Sequence, residues 1–550
     1  MASAPNISRH NLEVAINQSL ARKEFDAACL LIDRYVQKYE ADLSYEQLCV
    51  IANTLCLNDR LQEAFDLCMR AIRMDANAAA APEVLFWVYQ NKNDPQALKV
   101  IDRLIESGPT KRRSDYLYWK AIYANNHSLP DLVLACVEQA GGPPDASFEK
   151  YQEVVYSTIM ALCSLEQIED AEKLAATVPE HLVYTTKYLP MAFAQIHQTR
   201  GDIEKVVKIY DNFLERHPNV VEARWNRALA NLSAGYLEQG WKDHEVRWDW
   251  KGFPSTEKKL SAPKWDGEDL KGKHILLWAE QGLGDQIMFL SLALPLIRNT
   301  GARVSIEVDP KLVALVSAWY PEAAVSGLEK FDCVGLSEYA SLDYHLPIGS
   351  LPKHYLPDID HLRQRPVRFL RGDPALKASI LHTANFEDPT LPLVGVCWRS
   401  SMLTTQRTGA YLSVEAVVKL ATELKGMCNL MSLQYAMKES ELAALANYPN
   451  VFVPEDDFFS NVTSHAKHIG VCDMVVTAGT LTSQIAGIFD RNTLIWGVGG
   501  WPFFGERQYP WYRNHAAIAL EANHDKASLA NQLVRWTRLS LDHNSRLQLD

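Results

Sequence analysis

Hydrophobic residues follow two different patterns along the 550-residue chain, and the change falls near residue 250. Up to that point apolar positions recur at the spacing of a helix face. Beyond it, short continuous apolar runs alternate with stretches of helical spacing. The first pattern predicts an array of helices. The second predicts the buried strands of a parallel sheet, joined by helices that cover its faces.

The helical part repeats one signal, a small or apolar residue preceded by polar residues, at Ala28, Ala64, Ala97, Leu132, Ala171, Val206 and Gly240. The intervals are 36, 33, 35, 39, 35 and 34 residues. A period near 34 residues, with a small residue where two helices meet, looks like the tetratricopeptide repeat. Because such repeats stack into a superhelix with a concave surface, residues 1–250 are predicted to form an α-solenoid that binds a protein partner.

The second pattern opens on the segment KHILLWAEQGLGDQIMFLSLALP at residues 273–295. Residues 274–279 predict a buried strand, residues 280–285 a glycine turn, and the following residues a helix to about Arg298. A turn of this kind lies at the carboxyl end of its strand, where α/β folds bind ligands. Its glycines let the backbone approach a substrate closely. The residues of this turn that are assigned to substrate contact are Glu280, Gln281, Gly282 and Gly284.

Asp285 ends the glycine turn and is predicted to cap the helix as its N-terminal acceptor. A glycine turn before a helix is a weak signal for function by itself. Two interpretations of Asp285 therefore stay open from the residues alone, a helix cap only or a group that also carries chemistry.

Strands and helices continue to alternate to the end of the chain in two groups. Further strands are predicted at 304–308, 332–335, 343–346, 393–398, 429–434, 451–453, 474–477 and 493–497. This order predicts two Rossmann-like domains across a cleft, at 273–372 and 373–550. A terminal helix is predicted at 526–541, and residues 251–272 are predicted to link the repeats to the first domain.

Two segments of the second domain are predicted to hold a phosphate. The loop after the strand at 393–398 offers arginines and hydroxyls for charge-assisted contacts, and its alternative is a solvated loop paired with surface acids. The turn at 477–484 places backbone amides at a helix N-terminus, and its alternative is an ordinary turn with hydroxyl caps. The residues assigned to donor binding are Arg399, Ser400, Arg407, Gln434, Thr480, Thr482 and Ser483.

Two other features of the second domain leave alternatives open. The glycine- and aromatic-rich loop at 497–511 either covers a sugar or base or packs aromatic rings between domains. His465 and His468 lie three residues apart on a predicted helix, which suits a metal, but no carboxylate or cysteine joins them at ligand spacing. We therefore predict no metal site and expect these histidines to be ordinary core or surface residues.

Composition and charge narrow the class of protein. Hydrophobic residues make up 47% and charged residues 22% of the chain, which is ordinary for a soluble globular protein. The net charge of -12 argues against a general nucleic-acid or anionic-membrane surface. No apolar run approaches the ~20 residues of a membrane span, and the N-terminus lacks the apolar core of a signal peptide. The ten cysteines occur singly, so reduced thiols in a cytoplasmic protein are expected.

The chain as a whole resembles bacterial tetratricopeptide-repeat glycosyltransferases. The resemblance rests on the repeats, on SAPKWDGEDLKGKHILLWAEQGLGDQIMF and on CDMVVTAGTLTSQIAG. The second half is similar to the ADP-heptose–lipopolysaccharide heptosyltransferases, which have the GT-B fold. This resemblance implies that residues 273–372 form the acceptor-side domain and residues 373–550 the donor-binding domain. It also implies an acceptor loop that contains Glu280, Gln281, Gly282 and Gly284. The segments WRSSMLTTQR, SLQY and RQYPWY look most like the branch associated with flagellin glycosylation.

The resemblance implies roles for single residues. Asp285 falls on the heptosyltransferase aspartate taken as general base, and Thr480 falls on the threonine of the Asp-Thr-Gly-x-x-His donor motif. Gly479, Leu481 and Gln484 stand where that motif has aspartate, glycine and histidine. The loop after residue 398 also lacks the family's phosphate-binding lysine, and Arg399 or Arg407 is expected to replace it. These departures put ADP-heptose in doubt as the donor.

The function implied is an inverting, metal-independent transferase that moves a sugar from a nucleotide-sugar donor to a Ser or Thr of a protein, with flagellin as the expected acceptor. It needs no cofactor, and the donor is either a nucleotide-diphosphate sugar or a CMP-linked nonulosonic acid. One alternative is a lipopolysaccharide or glycan acceptor, and another is a catalytically decayed adaptor protein. Residues 251–550 are expected to act on the donor without the repeats, unless the segment WKDHEVRWDW at 241–250 packs on the transferase.

Overall fold

The computed structural model of the protein describes residues 8–22, 24–327, 341–400, 411–497, 500–519 and 526–543. The chain divides into two compact units, Met1–Gly201 and Asp202–Asp550. The first unit is helical, and the second contains both sheets. The predicted fold class, helical repeats followed by a parallel α/β half, is therefore confirmed.

The first unit is built from α-helices, each packed against the next along the chain. Its helices α1 to α11 are Arg9–Ala21, Phe25–Tyr39, Tyr45–Leu57, Leu61–Met74, Ala80–Asn91, Gln96–Ser107, Arg113–Asn126, Pro130–Gln139, Tyr151–Ser164, Ile168–Ala176 and Tyr188–Thr199. The small residues that mark the period lie where these helices touch. Ala28, Ala64, Ala97 and Ala171 are all 0% exposed, because a larger side chain would separate the paired helices.

The turns between paired helices show the same period in their backbone angles. Residues with positive φ recur at Asp59, Asn93, Ser128, Glu166, Gly201 and Gly235. Each lies four or five residues before a residue of the repeated signal. The left-handed conformation is needed to end one helix and reverse the chain, and it disfavours most residues other than glycine and asparagine. Four of the six turns have a residue other than glycine at this position. For this reason no periodic glycine marks the turns in the sequence.

The second unit begins with three more helices of the repeat type, α12 to α14, at Ile203–Arg216, Val221–Ser233 and Leu237–His244. A 3-10 turn at Glu245–Trp248 follows. Gly240 completes the series of small residues, since a β carbon there would lie 2.6 Å from Leu232 Cδ2. These helices belong with the sheets as one compact unit.

Two parallel sheets form the rest of the second unit. The first has the order β3-β2-β1-β4, and the second has the order β10-β9-β8-β5-β6-β7, with parallel pairing throughout. Strands β1 to β10 are His274–Trp278, Arg303–Val308, Ala324–Gly327, Tyr344–Pro347, Leu393–Cys397, Asn429–Ser432, Val451–Phe452, Met474–Ala478, Asn492–Gly497 and His515–Ala519. The central strands β1, β5 and β8 are buried at every position, as apolar runs predict.

Helices cover both sheets and follow the predicted alternation. Helices α15 to α25 are Leu283–Leu290, Leu294–Asn299, Val313–Trp319, Leu351–Tyr355, Ile359–Gln364, Pro374–Thr383, Val414–Glu423, Glu439–Leu445, Val462–Val471, Leu481–Ile488 and Lys526–His543. The predicted terminal helix is thus confirmed as α25. None of the helices in the described ranges is long and apolar enough to cross a membrane.

Several elements differ from the sequence prediction. The single helix expected up to Arg298 is two helices, because the chain turns at Ser291–Ala293 and α16 restarts with Pro295 as one of its first residues. The strand expected at 332–335 lies outside the described residues, and the third strand of the first sheet is at Ala324–Gly327. Helix α20 and strand β10 were not predicted, because α20 buries one residue, Ile380, and three of the five residues of β10 are alanine, so neither has a strong apolar pattern.

The domain limits drawn from the sequence, 1–250, 251–272, 273–372 and 373–550, stay predictions. Residues 251–272 contain neither a helix nor a strand, but a bridge between Lys264 and His345 joins their end to β4. The cysteines that the structure describes are all free and buried, as expected for reduced thiols.

Candidate active site

The candidate residues of the second sheet lie where its strand order reverses. From β5 the chain moves outward to β6 and β7, then returns to place β8 on the other side of β5. The carboxyl ends of β5 and β8 are therefore neighbours at a topological switch point, the place where open α/β sheets bind ligands. Thr480 follows β8, Arg399 follows β5, and Gln434 follows β6.

Asp285 lies in the first turn of α15, after β1. The helix starts at Leu283 with Gly282 in the cap position, so Asp285 is its third residue rather than its N-cap. The Gly282 N–H donates to Asp285 Oδ2 at 3.1 Å. The capping role predicted for Asp285 is thus corrected in position: the carboxylate reaches back from inside the helix, as the acidic residue of a capping box does.

The loop before α15 is held in an unusual backbone conformation. Gln281 has a φ of 61°, and its N–H donates to Ser255 Oγ at 2.7 Å. Positive φ is disfavoured for a residue with a side chain, so the surrounding contacts must hold Gln281 there. The result is a tight path that brings Gly282, Gly284 and Asp285 to the start of the helix.

The first turns of α15 and α24 meet. A β carbon on Gly284 would lie 3.7 Å from both Leu481 N and Gln484 Cγ, so the two helix starts are in contact there. Each helix has eight residues, and the N-terminus of each carries unsatisfied N–H groups and partial positive charge. Two such ends at one place favour an anion between or beside them.

Tyr509 completes this contact from the loop after β9. Its hydroxyl accepts a hydrogen bond from Gln484 Nε2 at 2.8 Å and donates to Met288 Sδ at 3.4 Å. Burial raises the pKa of Tyr509, the hydrogen bond from Gln484 opposes that rise, and the Asp285 carboxylate adds to it. The Oε1 atom of Gln484 is buried without a hydrogen-bond partner in the described part of the chain. Sequence reasoning missed Tyr509, because no local signal links it to Asp285.

The hydroxyl residues of the turn before α24 have distinct positions. Thr480 is the N-cap, and its Oγ1 accepts from the Thr482 N–H at 3.3 Å. Ser483 is buried and its Oγ donates to the Thr480 carbonyl at 2.7 Å. Thr482 is buried beside the Cys397 thiol, without a hydrogen bond of good geometry. The ordinary capping interpretation therefore describes Thr480 and Ser483, and the phosphate roles of all three residues stay predictions.

Arg399 and Gln434 are both buried and bonded to their surroundings. Arg399 Nη2 pairs with Glu441 Oε2 at 2.6 Å, and Nε donates to Glu441 Oε1 at 3.0 Å. Gln434 Oε1 accepts from the N–H groups of Trp398 and Arg399, both at 3.0 Å, so this amide shapes the loop after β5. Their donor-binding roles stay predictions, and Arg407 lies outside the described residues.

The phenol of Tyr435 joins the two donor segments. Burial raises the pKa of Tyr435, and hydrogen bonding with the hydroxyls of Ser400 and Thr480 counters part of that rise. Ser400 and Thr480 therefore both lie close to the Tyr435 phenol. The structure thus brings together four of the assigned elements, the ends of β5, β6 and β8 and the start of α15.

Glu280 has a different environment from the one that the acceptor assignment implies. Its side chain is 0% exposed and is paired with the equally buried Arg247, with Arg247 Nε 2.8 Å from Glu280 Oε2. A buried carboxylate in such a pair cannot contact an acceptor peptide without losing its partner. Arg247, 33 residues earlier in the chain, was not predicted as part of the site.

The aromatic loop at 497–511 packs rather than covers the site, over the residues that are described. Trp501 and Phe504 lie 5.7 and 6.0 Å from Trp241, between ring centroids, and a β carbon on Gly235 would lie 3.2 Å from the Phe504 carbonyl. Aromatic packing, one of the two interpretations left open, is observed against the last repeat helices. Among the residues of this loop that the structure describes, Tyr509 reaches the site.

A cavity of about 500 Å³ lies elsewhere. It is lined by Leu292, Pro295, Tyr355, Asp358, Asp360, His361, Gln364, Arg365 and Pro366. None of the predicted site residues lines it. We therefore place the candidate site at the helix starts and strand ends, where the polar groups converge.

His465 and His468 are core histidines. His465 is 0% exposed, and its ring stacks on Phe458 with centroids 4.9 Å apart. His468 Nδ1 bonds the Ser464 carbonyl at 2.9 Å. In the described ranges no three His, Cys, Asp or Glu side chains come together in a way that could hold a metal ion.

Burial lowers the pKa of His465 to about 3, from an ordinary 6.5. Between these two values the unfolded chain binds a proton that the folded chain does not, so stability falls as pH decreases. We expect His465→Phe to reduce that slope by about 1.4 kcal/mol per pH unit. The slope of stability against pH is measured by urea unfolding between pH 4.5 and 6, with hydrogen exchange in β8 as the second measurement. Equal slopes in the two proteins would mean that His465 is protonated in the fold.

Comparisons with known proteins agree with this architecture. No protein-family model matches the chain. Protein FlbA of Caulobacter vibrioides is 25% identical over 300 residues, which are 52% of this chain and 50% of FlbA. The chain therefore spans about half the length of this curated relative.

Two solved structures resemble separate parts of the chain. The glycosyl transferase family 9 structure from Veillonella parvula covers 50% of this chain and 99% of its own, at 15% identity and a TM-score of 0.37. YrrB, a TPR protein with an unusual peptide-binding site, covers 35% of this chain and 94% of its own, at 19% identity and a TM-score of 0.26. The resemblance to a repeat-containing, glycosyltransferase-like protein matches the one found in the sequence, and at these scores no functional conclusion rests on it.

Proposed function

We propose that the protein is an inverting glycosyltransferase that moves a sugar from a nucleotide-sugar donor to a Ser or Thr hydroxyl of a protein. The observation that carries the proposal is the contact between the starts of α15 and α24, with Asp285 in one helix and Thr480 capping the other. This arrangement puts a carboxylate next to two positive helix ends, at the strand ends where α/β folds bind ligands. Transfer to a hydroxyl needs a base and an anion site together.

In the proposed reaction the acceptor oxygen bonds to the anomeric carbon of the sugar while the bond from that carbon to the donor phosphate breaks. The hydroxyl proton passes to the Asp285 carboxylate, and the bonding electron pair leaves on the phosphate oxygen. Positioned general bases contribute typically 10²–10⁴-fold. The N–H groups at the two helix starts stabilise the negative charge that develops on the leaving group.

The helical repeats make a protein acceptor the better choice over a glycan. Stacked repeats present an extended surface that suits a protein segment, and binding far from the reacting hydroxyl can position it. The flagellin acceptor rests on the sequence resemblance alone. The donor is either a nucleotide-diphosphate sugar or a CMP-linked nonulosonic acid, since both carry a phosphate.

The test is reconstitution with purified full-length protein, a flagellin from the same cell, and a panel of UDP-, ADP-, GDP- and CMP-linked sugars. Intact mass and peptide mass spectrometry report the mass added and the residue modified. A defined mass increase on a Ser or Thr supports the proposal. Binding of flagellin without binding of any donor would instead support the adaptor alternative. The ion pair between Arg399 and Glu441 favours this alternative, because it occupies an arginine that was assigned to the donor phosphate.

Transfer is expected to survive EDTA. The proposed charge stabilisation comes from helix N-termini, so a divalent ion is not required for the leaving group. The measurement is the initial rate of transfer with excess EDTA in place of magnesium, compared with the rate in magnesium alone. A rate lost in EDTA and restored by Mg²⁺ or Mn²⁺ would contradict the metal-independent mechanism.

A further inference from the structure

A buried ion pair joins the segment after the last repeat helix to the loop that carries Asp285. Arg247 lies in the turn Glu245–Trp248 and is 0% exposed. Its Nε and Nη2 atoms donate to the two carboxylate oxygens of Glu280, at 2.8 and 2.9 Å. The pair is bidentate, which fixes the plane and the direction of both groups as well as their distance.

Further groups enclose this pair. Arg247 Nη2 also donates to Ser350 Oγ at 2.9 Å, and Nη1 donates to Glu245 Oε1 at 2.9 Å. Lys264 pairs with Glu245, so two cations and two carboxylates form one network. A β carbon on Gly349 would lie 2.0 Å from Glu280 Oε1, so only glycine at that position leaves room for the carboxylate. Glu280 therefore has one position available to it.

Glu280 begins the segment that leads to Asp285, and the network therefore affects where Asp285 lies. Glu280 is followed at once by Gln281 with its φ of 61°, and then by Gly282, whose N–H binds Asp285. The path from Glu280 to Asp285 is thus fixed at one end by Arg247 and at the other by the capping bond. Buried ion pairs of this kind contribute little to stability compared with apolar side chains, so stability alone does not account for it.

We infer that Arg247 is a positioning residue, which holds the 280–285 loop so that the Asp285 carboxylate faces the reacting hydroxyl. This inference rests on the proposed function for its kinetic consequence, but not for its structural one. Arg247 does not touch substrate. It makes the end of the repeat array part of the catalytic machinery.

The experiment compares single and paired substitutions. Arg247→Met alone or Glu280→Met alone leaves a buried charge without its partner, and each is expected to lower the unfolding midpoint and transfer together. The double variant, Arg247→Met with Glu280→Met, removes both charges and keeps similar volumes. Its unfolding midpoint is expected to recover, while kcat stays about 10- to 100-fold low with the donor KM nearly unchanged, because misplacing a catalytic group costs rate more than binding.

Hydrogen exchange over residues 279–290 gives a readout that does not need turnover. The double variant should exchange faster in this segment than the wild type. A matched control, Arg227→Met with Asp243→Leu, removes a different ion pair, between α13 and α14, whose atoms are 2.7 Å apart, and should leave the segment unchanged. If the double variant recovers both kcat and the wild-type exchange, Arg247 is structural only and the inference fails. If the protein turns over no donor, the proposed function fails, but hydrogen exchange still shows whether Arg247 holds the 280–285 loop. Failure of the proposed function and failure of the positioning inference are therefore distinguishable.

Discussion

We expect Asp285→Asn to lower turnover by about 10²-fold or more and to change the unfolding midpoint little. In the wild type the Gly282 N–H donates to Asp285 Oδ2 at 3.1 Å. An asparagine side chain has the shape of aspartate and keeps an oxygen that can accept this hydrogen bond. It cannot take a proton from an acceptor hydroxyl. The substitution therefore separates the base from the cap.

Asp285→Ala is the matched comparison for the first prediction. It removes the base and the acceptor of the Gly282 N–H together, so turnover should fall as far as in the Asn variant, and stability should fall in addition by about 0.5–1.5 kcal/mol, the net contribution of one hydrogen bond. Initial rates with saturating donor and thermal unfolding of the full chain measure the two effects. A near-normal rate for the Asn variant would show that Asp285 is a helix cap only.

The fold could be predicted from the sequence because its signals are local. A period near 34 residues locates the small residues, such as Ala64 and Ala97, that are 0% exposed between helices. Apolar runs locate the central strands, since a strand buried on both faces cannot alternate with polar residues. The edge strand β3 and the alanine-rich β10 carry weaker runs, and neither was predicted.

The candidate site could be predicted only in outline. The glycine turn before Asp285 and the turn around Thr480 are each recognisable as strand-to-helix connections. Their contact through Gly284 and Gln484 is not, because it depends on how two sheets pack. The same limit applies to Arg399, whose sequence context suggests a phosphate ligand while its guanidinium pairs with Glu441, 42 residues later.

The contacts of the last repeat helices were the hardest feature of the fold to predict from the sequence. Trp241 and Arg247 stand in a segment that has the pattern of the end of a helical repeat. In the structure Trp241 is 1% exposed and lies 6.4 Å from Phe289 of α15, between ring centroids. No periodicity distinguishes such a residue from a repeat residue that contacts only its neighbours. The caution that residues 241–250 pack on the sheet-containing part of the chain is confirmed.

These contacts change where the chain can be divided. A fragment of residues 251–550 lacks Trp241 and Arg247. It would leave the Glu280 carboxylate without its bidentate cation and would expose the apolar surface of Phe289 against which Trp241 packs. We therefore expect this fragment to aggregate or unfold.

The fragment Asp202–Asp550 is expected to fold, because it is one compact unit that includes α12 to α14 and the Arg247 network. If the first unit selects the acceptor, this fragment should bind or slowly hydrolyse the nucleotide sugar and fail to modify the protein. Met1–Gly201 alone should bind the acceptor without modifying it, since stacked repeats can fold independently of the rest of the chain.

Circular dichroism and unfolding of the three fragments, a pull-down with each, and the transfer assay together test this division. The informative comparison is between 202–550 and 251–550, which differ only in the last repeat helices and the segment that contains Arg247. Equal folding of both would show that Trp241 and Arg247 are dispensable for the transferase. Full modification of the acceptor by Asp202–Asp550 would show that its own surface recognises the protein, and the repeats of the first unit would then have another role.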